Sequence, residues 1–423
     1  MPQYKKLFDI GTYTGNGGQY RVGIPTLRVQ GPSVGTVANS LRFRSGSYLT
    51  RTPASASNRQ IWTWSCWIKR GYVGTGGSAI YNIFTARTGG GANYTLLTFY
   101  SDYLYFTDNN GSVFSTRALN GDTSLWSHIV LAADTTSATS TMTVSSTDRL
   151  RLYVNGIQVS AFSSATAPSL NLQMNVNSTE TFLIGQNASN QYFDGYMSEI
   201  NFIDGQALTP SSFGEYNSDN IWVPKSISGL TYGTNGFYLK FAPGAVGTDS
   251  SGNGNTWTLS GFNTTTANTT YDVMTDSPVD YLSGSMTTAN NAGNYCIWNP
   301  LASTSYLVNG SCTVTNGALT VGDGATTYGL HGHGTLAVSS GKWYWEVVCN
   351  SIGGSYAAIG ILNMNTLRTG GSNNDGYYYI SMGGKYDTQP VQYSLTYTGA
   401  ASYTTGDIIG VAMDLDSGTL TFY

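Results

Sequence analysis

The sequence predicts an all-β chain of tandem antiparallel β-sandwiches, and three observations lead there. Its apolar stretches are short and alternate with polar residues at period two, they are bounded by Gly, Asn, Asp or Ser, and no stretch carries a helical apolar stripe of three turns. At 423 residues the chain exceeds what one hydrophobic core usually organises, so two or more domains are expected.

Residues 1–38 contain Gly15-Asn16-Gly17-Gly18, three prolines (Pro2, Pro25, Pro32) and only scattered hydrophobics. Such a segment cannot build a core and must dock onto another surface. In residues 39–242, the first sandwich, Trp62, Trp64, Cys66 and Ile68 point one way and Thr63, Ser65, Trp67 and Lys69 the other. The same alternation places Leu150, Leu152 and Val154 on a core side, with a turn at Asn155-Gly156. Residues 243–292, which include Asn263-Thr264-Thr265-Thr266-Ala267-Asn268-Thr269-Thr270, read as an Asn/Thr/Gly-rich connector with at most a few strands. Residues 293–423 form a second sandwich.

Only 10% of residues are charged, yet 13% are aromatic and 40% hydrophobic, so the chain can bury substantial cores and is not disordered. A net charge of -4 provides no basic field for phosphate backbones, and no nucleic-acid partner is expected. A weakly charged surface rich in Gly (52) and Tyr (31) suits an extracellular particle and sugar binding. No apolar run of signal-peptide length follows the first nine residues and none approaches about 18 residues anywhere, so neither the ordinary secretory route nor membrane insertion is expected. The cysteines, Cys66, Cys296, Cys312 and Cys349, lack any Cys-x-x-Cys spacing and imply neither a zinc site nor a disulfide framework. Cys66 and Cys349 lie in strand patterns and read as small buried hydrophobes.

Several motifs carry a resemblance. Ser40-Leu41-Arg42-Phe43, Trp64-Ser65-Cys66-Trp67-Ile68-Lys69, Trp126-Ser127-His128-Ile129-Val130, Arg149-Leu150-Arg151-Leu152-Tyr153-Val154-Asn155-Gly156 and Phe193-Asp194-Gly195-Tyr196-Met197-Ser198-Glu199-Ile200 follow one another in order. Together they resemble the laminin-G and concanavalin A-like family of lectin sandwiches. Gly341-Lys342-Trp343-Tyr344-Trp345-Glu346-Val347, Ala358-Ile359-Gly360-Ile361 and the run from Gly406 to Asp416 resemble a SPRY module. That module halts at Tyr423 where the family continues with further strands, so the gene product is expected to extend beyond it; a neighbouring chain that supplies the missing strands is the alternative. The two modules behind a Gly-rich amino terminus are similar to tail and fibre proteins of marine bacteriophages. This resemblance implies a structural and adhesive virion protein: residues 1–38 would anchor it to tail or baseplate proteins, and the sandwiches would attach to a host-surface glycan or protein. It also implies a homotrimer, displayed on the exterior of the phage tail after assembly in the host cytoplasm. A glycan-degrading depolymerase and a head decoration protein are the alternatives.

Concanavalin A-like folds also host glycosidases, which as retaining enzymes need two carboxyls about 5 Å apart. The only glutamates are Glu180, Glu199, Glu215 and Glu346, and just Glu215 has an acidic residue at i+2 or i+4, Asp219, within a turn pattern. Asp414 and Asp416 share a strand face but end the strand at a Ser417-Gly418 turn. The histidines, His128, His331 and His333, have no Gly-x-Ser-x-Gly elbow to serve. No catalytic residue and no enzymatic activity are therefore expected. His331-Gly332-His333 places two imidazoles on one strand face, which threefold repetition about a fibre axis would turn into a six-histidine metal site; a polar edge strand is the alternative. Asp249-Ser250-Ser251-Gly252-Asn253-Gly254-Asn255 offers oxygen donors at alternate positions like a calcium loop, but without a closing bidentate glutamate it reads as a structural turn. No resident metal or cofactor is expected. Tyr100-Ser101-Asp102-Tyr103-Leu104-Tyr105 and Tyr377-Tyr378-Tyr379 can stack on sugars, but about half of each set must face a core, so most of these tyrosines read as packing residues.

Overall fold

The alternation along Ile61–Arg70 sends Trp62, Trp64, Cys66 and Ile68 into one hydrophobic core, where they meet the inward residues of a second sheet. The computed structural model describes residues 5–6, 37–73, 80–87, 94–108, 111–116, 123–138, 148–187, 189–218, 220–265, 271–279, 293–300, 312–323, 332–352, 357–362, 376–381, 384–389, 392–398 and 401–423. The chain is all-β; the sole helical element among the described residues is a single turn of 3₁₀ helix at Pro210–Ser212. No helix among them is long and apolar enough to cross a membrane.

The chain divides into two compact units, one formed by residues 29–300 with 314–320 and the other by residues 1–28, 301–313 and 321–423. The larger unit is a sandwich of two antiparallel sheets. The first sheet runs, edge to edge, Ile157–Gln158, Leu150–Val154, Ser127–Asp134, Ile61–Arg70, Gly195–Asp204, Ser40–Phe43 and Val273–Met274, with Phe237–Leu239 also pairing on Gly195–Asp204. The second runs Phe162–Ala165, Gly111–Thr116, Tyr103–Asp108, Tyr94–Tyr100, Ile80–Arg87, Thr181–Ile184, Tyr48–Arg51 and Thr258–Ser260.

Register explains why the second sheet has one oily face. Leu49, Ile184, Phe84, Leu97, Phe106 and Phe114 are successive cross-strand partners, so their side chains form a single row pointing inward. One residue along, Thr50, Leu183, Thr85, Leu96 and Thr107 are likewise partners and form the outward row. Across the gap Trp64 meets Phe84 with ring centroids 4.7 Å apart. Each fully buried aromatic of this kind contributes about 2 to 3 kcal/mol of transfer free energy relative to exposure. The turn at Asn155-Gly156 is tight because both residues adopt left-handed φ, 49° and 81°.

The stretch read from sequence as a connector lends material to this sandwich. Thr258–Ser260 pairs with Tyr48–Arg51, Val273–Met274 pairs with Ser40–Phe43, and Val246, Trp257 and Val273 join the core cluster. The smaller unit holds one sheet of Lys5–Lys6, Lys342–Val348, Ile408–Asp414 and Thr419–Phe422, and another of Ala358–Leu362, Gly376–Ile380, Gly384–Gln389 and Gln392–Thr398. Its core gathers Cys349, Tyr379, Tyr403, Ile409 and Val411. Apart from Lys5–Lys6, Val37 and Ala38, the segment expected to anchor the chain lies outside the described residues.

Candidate carbohydrate-binding site

The strands Tyr94–Tyr100 and Tyr103–Asp108 form a hairpin closed by Ser101 and Asp102, with Ser101 in left-handed backbone at φ 53°. Strand alternation sends Leu104 and Phe106 into the core. Tyr100 and Tyr103 are directly opposite each other across the hairpin, and each is 40% exposed. Solvent-exposed tyrosines fixed by a hairpin present flat apolar surface with a polar rim, the chemistry that packs against a sugar ring.

Arg70, at the end of Ile61–Arg70, fixes the tip. Its Nη1 donates to Asp102 Oδ1 at 2.7 Å, its Nη2 donates to the Ser101 carbonyl at 2.6 Å, and its guanidinium lies 4.3 Å from the Phe99 ring centroid. Burial lowers the guanidinium's pKa, partly offset by the bond and charge of Asp102. Tyr81 is the cross-strand partner of Phe99, and its ring lies 5.5 Å from that of Tyr72. Burial, followed by the neighbouring Tyr72, pushes the Tyr81 hydroxyl's pKa upward, so it remains a neutral donor and acceptor. In the other tyrosine run, Tyr377 is exposed, whereas Tyr379 is buried and donates its hydroxyl to the Ala401 carbonyl.

Of the carboxylates considered for catalysis, Asp414, Asp416 and Glu346 are engaged in local contacts. Asp414 pairs with Lys342 and accepts backbone N–H bonds from Asp416 at 3.0 Å and Ser417 at 3.1 Å. The Lys342 bond, with the Ser417 bonds, lowers the Asp414 pKa to about 2, the opposite of what a general acid needs. Asp416 Oδ1 accepts the Gly341 N–H at 2.9 Å. Glu346 is exposed and accepts from the Tyr344 hydroxyl at 2.8 Å; Glu180 is half-buried in a loop; Glu215 lies on the short strand Gly214–Tyr216, and its neighbour Asp219 is outside the described residues.

Glu199 behaves in a way its sequence position did not announce. Ser198 pairs with Trp67 but Asn201 pairs with Ser65, so one extra residue bulges from the strand, and Glu199 takes φ 50° there. The side chain is buried and accepts the Tyr238 hydroxyl. Burial raises its pKa to about 7 against the opposing effects of that bond and of Lys240. Asp249 accepts the Tyr238 backbone N–H and is saturated by four donors, so it is not free to act with Glu199 as a carboxylate pair. Those donors are Tyr238 N, Ser251 N, Ser251 Oγ and Asn255 N, all at 2.8 to 2.9 Å. The oxygen donors of this loop therefore serve as a hydrogen-bonded turn, with Asn253 and Asn255 both donating to the Gly236 backbone carbonyl.

His128 is buried between the Trp67 and Trp222 rings, its centroid 4.7 and 6.0 Å from theirs. His331 lies outside the described residues, and His333 Nδ1 sits 3.0 Å from the Gly334 carbonyl. Among the described residues, no three His, Cys, Asp or Glu side chains cluster as a metal site would require.

Residues 43–212 match the family model of the concanavalin A-like lectin/glucanases superfamily, and residues 342–423 match the SPRY domain. No curated protein sequence matches the chain. Similar solved structures include a native heptameric SAP-like pentraxin from Limulus polyphemus, 17% identical over 41% of this chain and 79% of that one, with a TM-score of 0.29. Domain 4 of AbnA, an extracellular arabinanase from Geobacillus stearothermophilus solved with arabinotriose, is 17% identical over 43% and 80%, with a TM-score of 0.30. The CBM40 of a Ruminococcus gnavus IT-sialidase, bound to α2,3-sialyllactose, is 12% identical over 38% and 89%, with a TM-score of 0.27.

Proposed function

We propose that this chain is a non-catalytic adhesive protein of a bacteriophage virion, whose first sandwich holds a host-surface glycan at the Tyr100–Tyr103 hairpin. The observation that carries the binding role is the pair of exposed tyrosines, opposed across two strands and held by Arg70 through Asp102 and the Ser101 carbonyl. A pre-ordered aromatic surface loses little side-chain entropy when a sugar docks, and the polar groups around it supply hydrogen bonds to hydroxyls. The match of residues 43–212 to a lectin/glucanase superfamily supports a carbohydrate ligand, while the engaged carboxylates favour binding over hydrolysis. Placement on a phage tail fibre, with residues 1–38 as the anchor and three copies per fibre, rests on the order of the two modules and the Gly-rich amino terminus. The test is to expose the purified chain to host surface polysaccharide. Retention on the polysaccharide with no shortening of the polymer supports the proposal; chain shortening, or no retention, contradicts it.

A further inference from the structure

Lys69 ends up where lysines are rarely found: its side chain is 0% exposed, on the face of Ile61–Arg70 opposite the Trp62–Trp64 core. Three oxygens surround its Nζ. It donates to Asp276 Oδ2 at 2.8 Å, to Asn294 Oδ1 at 2.8 Å and to the Tyr295 carbonyl. The Asn294 amide is oriented by its own Nδ2, which donates to the Ser124 carbonyl at 2.8 Å. Asp276 is fixed in turn by Trp126 Nε1 at 3.0 Å and by the Tyr295 backbone N–H at 3.2 Å. Aromatic walls close the site, with the Tyr196 ring centroid 5.8 Å from Nζ and Trp126 against Tyr196. Asp276 and Gly293 form a parallel backbone bridge, which holds the carboxylate and the neighbouring Asn294 side by side.

We propose that this site forms an intramolecular isopeptide bond between Lys69 and Asn294, with Asp276 moving the protons. An amine, a carboxamide and a buried carboxylate held within hydrogen-bond distance in an aromatic enclosure are the reactants and catalyst of an amide transfer. The Lys69 ammonium passes a proton to Asp276 Oδ2, and the resulting amine attacks Cγ of Asn294, the atom bonded to the oxygen it already contacts. The Nζ–Cγ bond forms, the Cγ–Nδ2 bond breaks, and Nδ2 departs as ammonia. Nζ gives up its second proton to that leaving group, and Asp276 returns the first to the departing ammonia as ammonium. Lysine ammonium and carboxamide thus become an amide and an ammonium ion, with no oxidant, reductant or cofactor. Burial raises the Asp276 pKa, more than Lys69 and the other donors lower it, which favours the proton-carrying form that the transfer needs. Asn294 is half-buried, leaving ammonia a way out. The link would tie the central strand of the sheet to the segment at 293–300, a covalent brace suited to a surface protein under tension.

The experiment is intact mass spectrometry of the reduced, purified full chain, followed by peptide mapping. The expected mass is one ammonia below that of the sequence, with a branched peptide joining Lys69 to Asn294. Asn294→Ala, which removes the electrophile and retains the Lys69–Asp276 pair, and Asp276→Ala, checked for folding by near-ultraviolet circular dichroism, should both show the unmodified mass. A wild-type chain at the full sequence mass overturns the proposal. So does an ammonia loss that maps to other residues or persists in Asn294→Ala.

Discussion

The indole N–H of Trp222 donates to Nδ1 of His128 at 3.0 Å, and that bond fixes the imidazole tautomer. With Nδ1 accepting, the proton sits on Nε2, which donates to Ser65 Oγ at 2.8 Å. The pair therefore has the spacing of a serine and its base but the wrong proton direction for one: His128 cannot take the Ser65 proton while Nε2 holds its own.

This arrangement has a measurable pH signature. Burial lowers the His128 pKa from 6.5 to about 3, so the folded chain refuses a proton that the unfolded chain accepts. Stability from this group is complete above pH 6.5 and falls as the pH drops, by about 1.4 kcal/mol per pH unit, until about pH 3. Denaturant unfolding of wild type and His128→Asn between pH 7 and 4 should give curves that converge towards acid, the variant lacking this slope. Parallel curves would contradict the assignment.

Glu199 has the opposite sign. Its pKa rises from 4.5 unfolded to about 7 folded, so its contribution is fully present below pH 4.5 and is lost as the pH climbs through 7. Asp194, raised to about 6 chiefly by burial, adds to the same trend. Glu199→Gln keeps an acceptor for the Tyr238 hydroxyl and removes the charge, so it should be more stable than wild type at pH 8 by up to about 3 kcal/mol and close to it at pH 4.5. Unfolding free energies at the two pH values decide this.

The Asp249 turn should be indifferent to chelators. Since four protein donors already saturate its carboxylate, EDTA should leave the thermal midpoint unchanged. Asp249→Ala, which strands buried N–H groups, should cost about 3 kcal/mol. A calcium-dependent rise in the midpoint would restore the metal reading.

Local periodicity made the core side of Ile61–Arg70 legible, because Trp62, Trp64, Cys66 and Ile68 alternate strictly and all four join one cluster. Cys66 and Cys349 are buried, as their strand patterns suggest. The opposite face was not legible: Thr63, Ser65, Trp67 and Lys69 look like a solvated surface yet are buried too. Their cover comes from far along the chain, with Gln206 accepting from Thr63, Trp222 reaching His128 beside Ser65, and Asp276 and Asn294 meeting Lys69. None of these segments has a periodicity of its own, so sequence spacing gives no sign that they fold back. The tyrosines at 100 and 103 were recognisable as sugar-stacking candidates, but their brace was not, since Asp102 lies in the hairpin turn and Arg70 at the end of a strand of the other sheet. Likewise the bulge at Glu199 follows from pairing register rather than from residue type.

The most direct test of the proposed adhesive role is a binding titration of the glycan that the wild-type chain retains, repeated with Tyr100→Ala, Tyr103→Ala and the double variant. Both side chains are 40% exposed and paired across two strands, so each truncation should cost no more than about 1 kcal/mol of stability and leave the fold intact. Each single variant should weaken binding by roughly tenfold and the double variant by roughly a hundredfold, on about 1.4 kcal/mol per stacked ring. Unchanged affinity in the folded double variant would contradict the account, because the glycan would then be held somewhere other than the Tyr100–Tyr103 hairpin.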